Sequence, residues 1–488
     1  MSENFYTNFL CIRDKIFYRG FEDGKRICKK FPYKPSLFVD SDKPTKWTTL
    51  SGKHVDKITF SSPLDAKDFI NRYDKVDNFN YYGNNRFQYT FIADKFSEMI
   101  EYDLNRLVIA NIDIEVGSDS GFAKPADPFE EVIAITIESN GTYISFGCGE
   151  YVPTDPSVKY IKCESEVDLL TKFIEHWEYM SPDIVTGWNV EFYDIPYLYT
   201  RIERILGESF SKRLSPWRIA SKKDKIYNGS KQMIIDLVGV AILDYMDLYI
   251  RFRPKRESNK LNYISYIELG EKKISYEEYG NLSNLYKTNF TLFMDYNVKD
   301  VELVKRLEEK LKLIEMVVAL AYDAKVNFVD VFSQVRLWDA IIFNYLKKKN
   351  IAMPKIVRGE KNKEYSGAFV KDIDPSMKEW VVSFDLNSLY PSLQQQFNIS
   401  PECLLPEKFK SVTVEKLLSQ SYDTSFLKDE NVGLAANGHC FSNDRIGFLP
   451  DILMRMYEDR KMYKNKMIDS QKELERVKEE IYRRKISK

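Results

Sequence analysis

Two acids, Asp113 and Glu115, close an otherwise apolar run, Leu107-Val108-Ile109-Ala110-Asn111-Ile112-Asp113-Ile114-Glu115-Val116. Such a run reads as a buried strand, whose two-residue period puts both carboxylates on one face. Carboxylates that close repel each other unless a cation lies between them. The chain has only three histidines (His54, His176, His439), and its six cysteines include no CxxC pair. A metal held here would meet oxygen ligands, which suits Mg²⁺ or Mn²⁺ rather than zinc. Further on, Asp194 follows the turn-like Gly187-Trp188-Asn189, while Tyr296 and Asp300 stand four residues apart, on one face of a helix. Taken singly, these residues also read as a strand terminus, a helix N-cap, a packing tyrosine and a solvated charge.

A second group lies in Asp385-Leu386-Asn387-Ser388-Leu389-Tyr390-Pro391-Ser392, after the apolar Trp380-Val381-Val382-Ser383-Phe384. The pattern is a strand that ends in an acid and runs into a proline turn. The acid could ligate Mg²⁺ while the turn aims backbone N–H groups at a triphosphate. Arg460 and Lys464 share one face of a third segment, 451–488, which contains no Gly or Pro and carries 12 basic against 8 acidic residues. As a single helix it would be about 57 Å long at ~1.5 Å per residue. Cations spaced on a rigid helix can clamp phosphates; the alternative is a solvated charged face.

Elements of known pattern must position these groups. The first hundred or so residues alternate short aromatic-rich runs with turn signals (Asp23-Gly24, Ser51-Gly52, Gly83-Asn84-Asn85), as in a mostly β domain. Helical periodicity predicts helices over 166–177, 195–205 and 292–313, and again over 316–349 until Pro354 breaks it. Strands alternating with helices predict α/β and α+β architecture in several domains. The length of 488 residues agrees, with room for about three domains of roughly 150 residues each. A net charge of −1 excludes a uniformly basic nucleic-acid binder but not a local basic groove. No uncharged apolar run approaches the ~18 residues of a membrane span, and the N-terminus has no basic region followed by an apolar core. A cytoplasmic, globular protein is expected.

The order Asp-x-Glu, Asn-x-x-x-Tyr-Asp, Tyr-x-x-x-Asp resembles the three motifs of DEDDy-type 3′–5′ exonucleases. The resemblance implies an RNase H-like domain in which Asp113, Glu115, Asp194 and Asp300 hold two metal ions and Tyr296 orients the attacking water. Asp385 to Ser392 resembles motif A of family B DNA polymerases, D-x-x-S-L-Y-P-S, and Tyr365-Ser366-Gly367-Ala368 resembles the Y-x-G-G/A element upstream of it. By that resemblance Asp385 and Leu386 would meet a metal, two ions serving each site. Leu386, Ser388 and Leu389 would line the triphosphate, and Tyr390 would pack under the sugar and exclude a 2′-hydroxyl. Arg460 and Lys464 would hold the β- and γ-phosphates from the fingers. Ile184 to Glu191 and Arg336 to Asn344 look most like the replicative polymerases of T-even-type bacteriophages. The family's order then implies an N-terminal domain over 1–107, to which 313–356 returns. An exonuclease would occupy 108–312, the first part of the palm 357–446, and the first fingers helix 447–488.

Missing from these residues are the second fingers motif K-x-x-x-N-S-x-Y-G and the palm D-T-D that supplies the other essential acid. Tyr422-Asp423-Thr424-Ser425 offers one Asp only and reads as a loop. No thumb and no tail for a sliding clamp can be placed. The expectation is one subunit of a split DNA-directed DNA polymerase that synthesises DNA only with a C-terminal polypeptide. Its partners would be primer-template DNA, single-stranded 3′ ends, dNTPs and that polypeptide, with the clamp reached only through the latter and no membrane involved. A free-standing 3′–5′ exonuclease and a non-catalytic nucleic-acid-binding regulator are the alternatives.

Overall fold

The computed structural model describes all residues except 1–3, 118–120, 122, 228, 356–371, 373–374 and 487–488. The chain divides into two compact units, Met1–Val39 with Lys57–Asn344, and Asp40–Asp56 with Tyr345–Lys488.

The first unit opens with an antiparallel sheet, β1 (Phe5–Ile12), β2 (Lys15–Glu22) and β3 (Lys25–Pro32). Its aromatic residues Phe5, Tyr6, Phe9 and Tyr18 are buried in a core shared with Val317, Ala321 and Tyr322. The Tyr6 hydroxyl donates to the carbonyls of Ala321 and Val326, and the Asn327 side chain pairs with both the N–H and the carbonyl of Phe9. Two helices, α1 (Pro63–Tyr73) and α2 (Phe87–Lys95), follow it in the chain.

The site-bearing layer is a six-stranded mixed sheet. Its strands are β4 (Ile109–Val116), β5 (Val132–Ser139), β6 (Thr142–Gly147), β7 (Val158–Lys162), β8 (Ile184–Thr186) and, after the two-stranded ribbon of β9 (Ala220–Tyr227) and β10 (Ser230–Leu237), β11 (Ala241–Ile242). The order is β7-β6-β5-β4-β8-β11, antiparallel across β6-β5-β4 and parallel at β7-β6 and β4-β8-β11. Helix α3 (Glu166–Met180) covers one face: Ser165 caps it by accepting from the Asp168 N–H, and Leu169, Leu170, Phe173, Ile174 and Trp177 recur at helical spacing on its buried side. Helix α4 (Asp194–Leu206) lies in the same core, into which β4 sends Ala110, Ile112 and Ile114. Helices α5 (Tyr245–Phe252) and α6 (Leu261–Leu269) follow. Helix α7 (Phe290–Leu311) crosses the opposite face, packing on β4 and β5, and ends at Lys312 in the left-handed region, from which α8 (Leu313–Ala324) starts. A 3₁₀ turn, Phe328–Phe332, separates α8 from the helix Gln334–Lys348, so the helical stretch predicted over 316–349 is two helices.

The second unit contains α9 (Leu389–Gln396), a small antiparallel sheet of β12 (Leu404–Lys408), β13 (Val432–Leu434) and β14 (His439–Ser442), and α10 (Phe448–Ile486). The predicted terminal helix is there, starting at Phe448, three residues before the 451–488 segment and one after the 447 bound. At its foot, Asp451 accepts from Lys349 Nζ and Arg455 Nη2, each at 3.0 Å, and from the Tyr345 hydroxyl. The strand predicted over 380–385 is not formed: the segment has no ladder partner among the described residues, and Trp380 is 97% and Phe384 90% exposed. β-propensity acts through packing against neighbouring strands, so an apolar run with none to pair with gains nothing from extension. The 422–425 segment is a loop, as read. Among the described residues, no helix is long and apolar enough to cross a membrane.

Candidate active site

Strand β4 alternates as its composition dictates. Ala110, Ile112 and Ile114 enter the core, while Asn111, Asp113 and Glu115 face α7. Asn111 donates to the Val301 carbonyl at 2.7 Å and Asn297 donates to Asp113 Oδ2 at 2.7 Å, so two amides stitch strand to helix. This docking brings Asp300, one turn beyond Tyr296, against the strand acids. One oxygen each from Asp113, Glu115 and Asp300 lie within 4.8 Å of one another. Asp300 is 3% exposed, which overturns its reading as a solvated charge.

Asp194 reaches the same strand from the side. The short β8 pairs with β4 only as far as Thr186 opposite Asn111. Beyond that point β4 would present an unpaired amide on this edge, and Asp194 Oδ1 accepts from the Ile114 N–H at 3.1 Å. Asp194 is the first residue of α4 and not its cap, because Tyr193 holds the N-cap position.

Burial raises all four acids, and repulsion by the others adds to it at Asp113 and Glu115. The Asp113 carboxyl is held well above the carboxylate range by burial, then by Asp300, Asp194 and Glu115. Glu115 is pushed up to about 8 by burial and Asp300. Asp194 is pushed up to about 7, chiefly by burial, with the Ile114 hydrogen bond acting against it. Burial raises Asp300 as well, although Lys273 opposes it. Asp300 Oδ1 is buried without a hydrogen-bond partner among the described residues. Repelling, oxygen-only carboxylates with an orphaned acceptor form a donor set that fits a hard divalent cation.

Sequence reading missed three residues in and around this cluster. Lys273 donates to Asp300 Oδ2 at 2.5 Å and to the Tyr296 hydroxyl at 3.2 Å, and its ammonium also lies over the Tyr296 ring. Burial pulls its pKa down, but Asp300, Tyr296 and Asp113 outweigh burial and leave it raised, so it stays charged. Tyr296 itself is raised by burial and by Asp300, and is therefore a neutral phenol. Lys273 stands in a run, Glu271-Lys272-Lys273, that carries no spacing signal and looks like solvated charge. Asn297 lies between the two residues that the motif marks. Asp244 is more than forty residues from any motif position.

The second unit holds the other predicted residues. Ser388 has φ of 50° and starts α9, which packs against α10. There Arg460 Nη1 donates to Ser388 Oγ at 3.4 Å, which brings these two predicted phosphate-site residues together. Asp385, Leu386, Leu389, Tyr390 and Lys464 are exposed, and Asp385 belongs to no cluster of three potential ligands among the described residues. Tyr365 to Ala368 lie outside the described residues.

Residues 66–264 match the family described as DNA polymerase family B, exonuclease domain, and residues 329–484 match DNA polymerase family B. The chain is 33% identical over 519 aligned residues to the DNA-directed DNA polymerase of Escherichia phage RB69, covering 99% of this chain and 56% of that protein. It is 32% identical to the DNA-directed DNA polymerase of Enterobacteria phage T4, covering 98% of this chain and 56% of that protein. A more distant relative is the DNA polymerase delta catalytic subunit of Candida albicans, 26% identical over 65% of this chain and 30% of its own length. The chain thus spans just over half the length of the phage relatives. With both halves matching the same family and the carboxylates of its first motifs converging on one strand, this chain belongs to DNA polymerase family B.

Proposed function

We propose that this chain carries the 3′–5′ exonuclease and part of the polymerase site of a DNA-directed DNA polymerase. The observation that carries the nuclease half is the convergence of Asp113, Glu115 and Asp300, with Asp194 on the amide between the first two. These four acids would hold two Mg²⁺ or Mn²⁺ ions. When bound, such ions lower the pKa of the attacking water and stabilise the leaving 3′-oxygen. Asn297 fixes the rotamer of Asp113. Tyr296 offers a neutral hydroxyl to orient water, and Lys273 supplies a fixed positive charge beside a phosphodiester that brings negative charge into the site. The substrate class is DNA with a single-stranded 3′ end.

The contact between Arg460 and Ser388 supports a polymerase role for the second unit, with Asp385 as a metal ligand and Leu386, Ser388, Leu389, Tyr390 and Lys464 around the incoming dNTP. A two-metal nucleotidyl transfer needs a second acid beside Asp385. We infer that this acid comes from further polypeptide, which we propose to be a complementing C-terminal chain that also carries any sliding-clamp contact. We also propose an N-terminal domain over 1–107 to which 313–356 returns, an exonuclease domain over 108–312, the first part of the palm over 357–446 and the first fingers helix over 447–488.

The deciding experiment incubates the purified chain with Mg²⁺ and a 5′-labelled single-stranded oligonucleotide, beside Asp113→Ala/Glu115→Ala, and then with dNTPs on a primed template. Stepwise 3′ shortening that the double variant loses, without primer extension, is the expected result. No shortening by the wild type would overturn the nuclease assignment for this chain alone. Extension by this chain alone would overturn the need for further polypeptide.

A further inference from the structure

Asp244 is a buried carboxylate, 4% exposed, that the chemistry above does not use. As the N-cap of α5 its Oδ1 accepts from the N–H groups of Met246 and Asp247, at 2.9 and 3.4 Å. A cap needs no more than this. Yet Asp244 also accepts from a different segment: Oδ1 from the Asn189 N–H at 3.1 Å and Oδ2 from the Glu191 N–H at 3.0 Å. One carboxylate therefore gathers four amides, two of them in the loop that delivers Asp194.

That loop is over-determined at every other point. Gly187 lies so close to β4 that a Cβ there would strike the Ile112 carbonyl oxygen, and its own carbonyl accepts from the Tyr245 N–H at 2.9 Å. Asn189 sits at φ of 69°, a conformation that costs free energy in a non-glycine residue unless its surroundings hold it. Its carbonyl accepts from the N–H groups of Phe192 and Tyr193, closing the turn that launches α4. Val190 is fully buried in the core with Ile112 and Ile114. Asp194 follows, with its Oδ1 on the Ile114 amide.

We propose that Asp244 is a positioning residue of the nuclease: by holding the Asn189 and Glu191 amides it fixes the left-handed turn that sets Asp194 against β4, and so sets the geometry in which Asp194 meets metal. This rests on the nuclease reading for its catalytic consequence, but not for its effect on metal binding. Hydrogen-bonded partners behind metal ligands typically change metal affinity or activity by about 10–100-fold when replaced.

The test uses the intact chain. Asp244→Asn keeps one acceptor oxygen for the cap and the Asn189 amide, and turns an NH₂ toward the Glu191 amide; Asp244→Ala loses all four bonds. Ser62→Ala removes the Asp65 N–H bond that caps α1, a helix with no part in the site, and controls for loss of a cap as such. Mn²⁺ binding is read by calorimetry, kcat and KM on a single-stranded oligonucleotide, and Tm by thermal unfolding. Asp244→Asn is expected to weaken Mn²⁺ binding roughly tenfold or more. Its kcat should fall while KM stays near wild type, whereas Ser62→Ala changes Tm alone. If Asp244→Ala does not fold, Asp244→Asn decides. An Asp244→Asn protein with wild-type Mn²⁺ affinity and kcat overturns the proposal. A wild type that binds Mn²⁺ through Asp113 and Glu115 but degrades no DNA sinks the nuclease reading instead, and the Mn²⁺ arm still decides the role of Asp244.

Discussion

Asp113, Glu115, Asp194 and Asp300 share a strained electrostatic state, and it has a measurable sign. Carboxyls in an unfolded chain titrate near ~4. Here burial and repulsion raise Asp113 well above that, Glu115 to about 8 and Asp194 to about 7. Between the unfolded and folded values the folded protein keeps protons that the unfolded chain has released. The cluster's contribution to stability is thus complete below about pH 4 and is lost as pH rises toward 8. In EDTA, scanning calorimetry should give a lower Tm at pH 9 than at pH 5, beyond any drift shared with Asp113→Asn/Glu115→Gln. Saturating Mg²⁺, which binds the deprotonated set, should narrow that gap. Equal pH dependence in wild type and double variant would show the acids to be ordinary. Lys273 belongs to the same balance. Lys273→Met removes the cation on Asp300 and should lower the metal-free Tm at pH 8 while enlarging the rise in Tm that Mn²⁺ produces. A thermal-shift titration reads both.

At the scale of elements, the site depends on how closely β4, α4 and α7 approach. Gly187→Ala tests this, because the new Cβ meets backbone and not a flexible side chain. It should cost about 1–3 kcal/mol of stability, and the nuclease rate should fall with it. Denaturant unfolding and the oligonucleotide assay check the two. The same scale explains what the residues could and could not announce. β4 was legible because its apolar run and its two acids obey one period, and α3 because Ser165 and its apolar stripe agree on where the helix starts. Lys273 and Asp244 were not legible: each acts across loops, on partners 23 to 55 residues away in sequence, and nothing local marks a lysine or a capping aspartate for that task. The 380–385 segment failed in the opposite way. Its local signal is strong, but a strand is a property of a pair, and the segment has no ladder partner among the described residues.

For the whole molecule, the two units differ in how much of their chemistry they contain. The first gathers its acids, its tyrosine, its lysine and the loop that holds Asp194 within one compact body. The second presents Asp385 and Tyr390 on its surface, with the Arg460–Ser388 contact as the only link formed between predicted phosphate-site residues among those described. On the proposed split, mixing this chain with a polypeptide that supplies the second acid should give primer extension. The rate of single-strand degradation per nuclease site should change far less, and paired extension and degradation assays would separate the two.

The Ile114 N–H donates to Asp194 Oδ1 from between the two strand acids, Asp113 and Glu115. If Asp194 holds metal as proposed, the same oxygen that accepts from the Ile114 N–H ties ion occupancy to a single main-chain proton. When a cation draws electron density from Asp194, the acceptor weakens, and the Ile114 amide resonance should move upfield while its exchange with solvent deuterium quickens. On that proposal the Ile114 amide would report metal loading without substrate and without turnover.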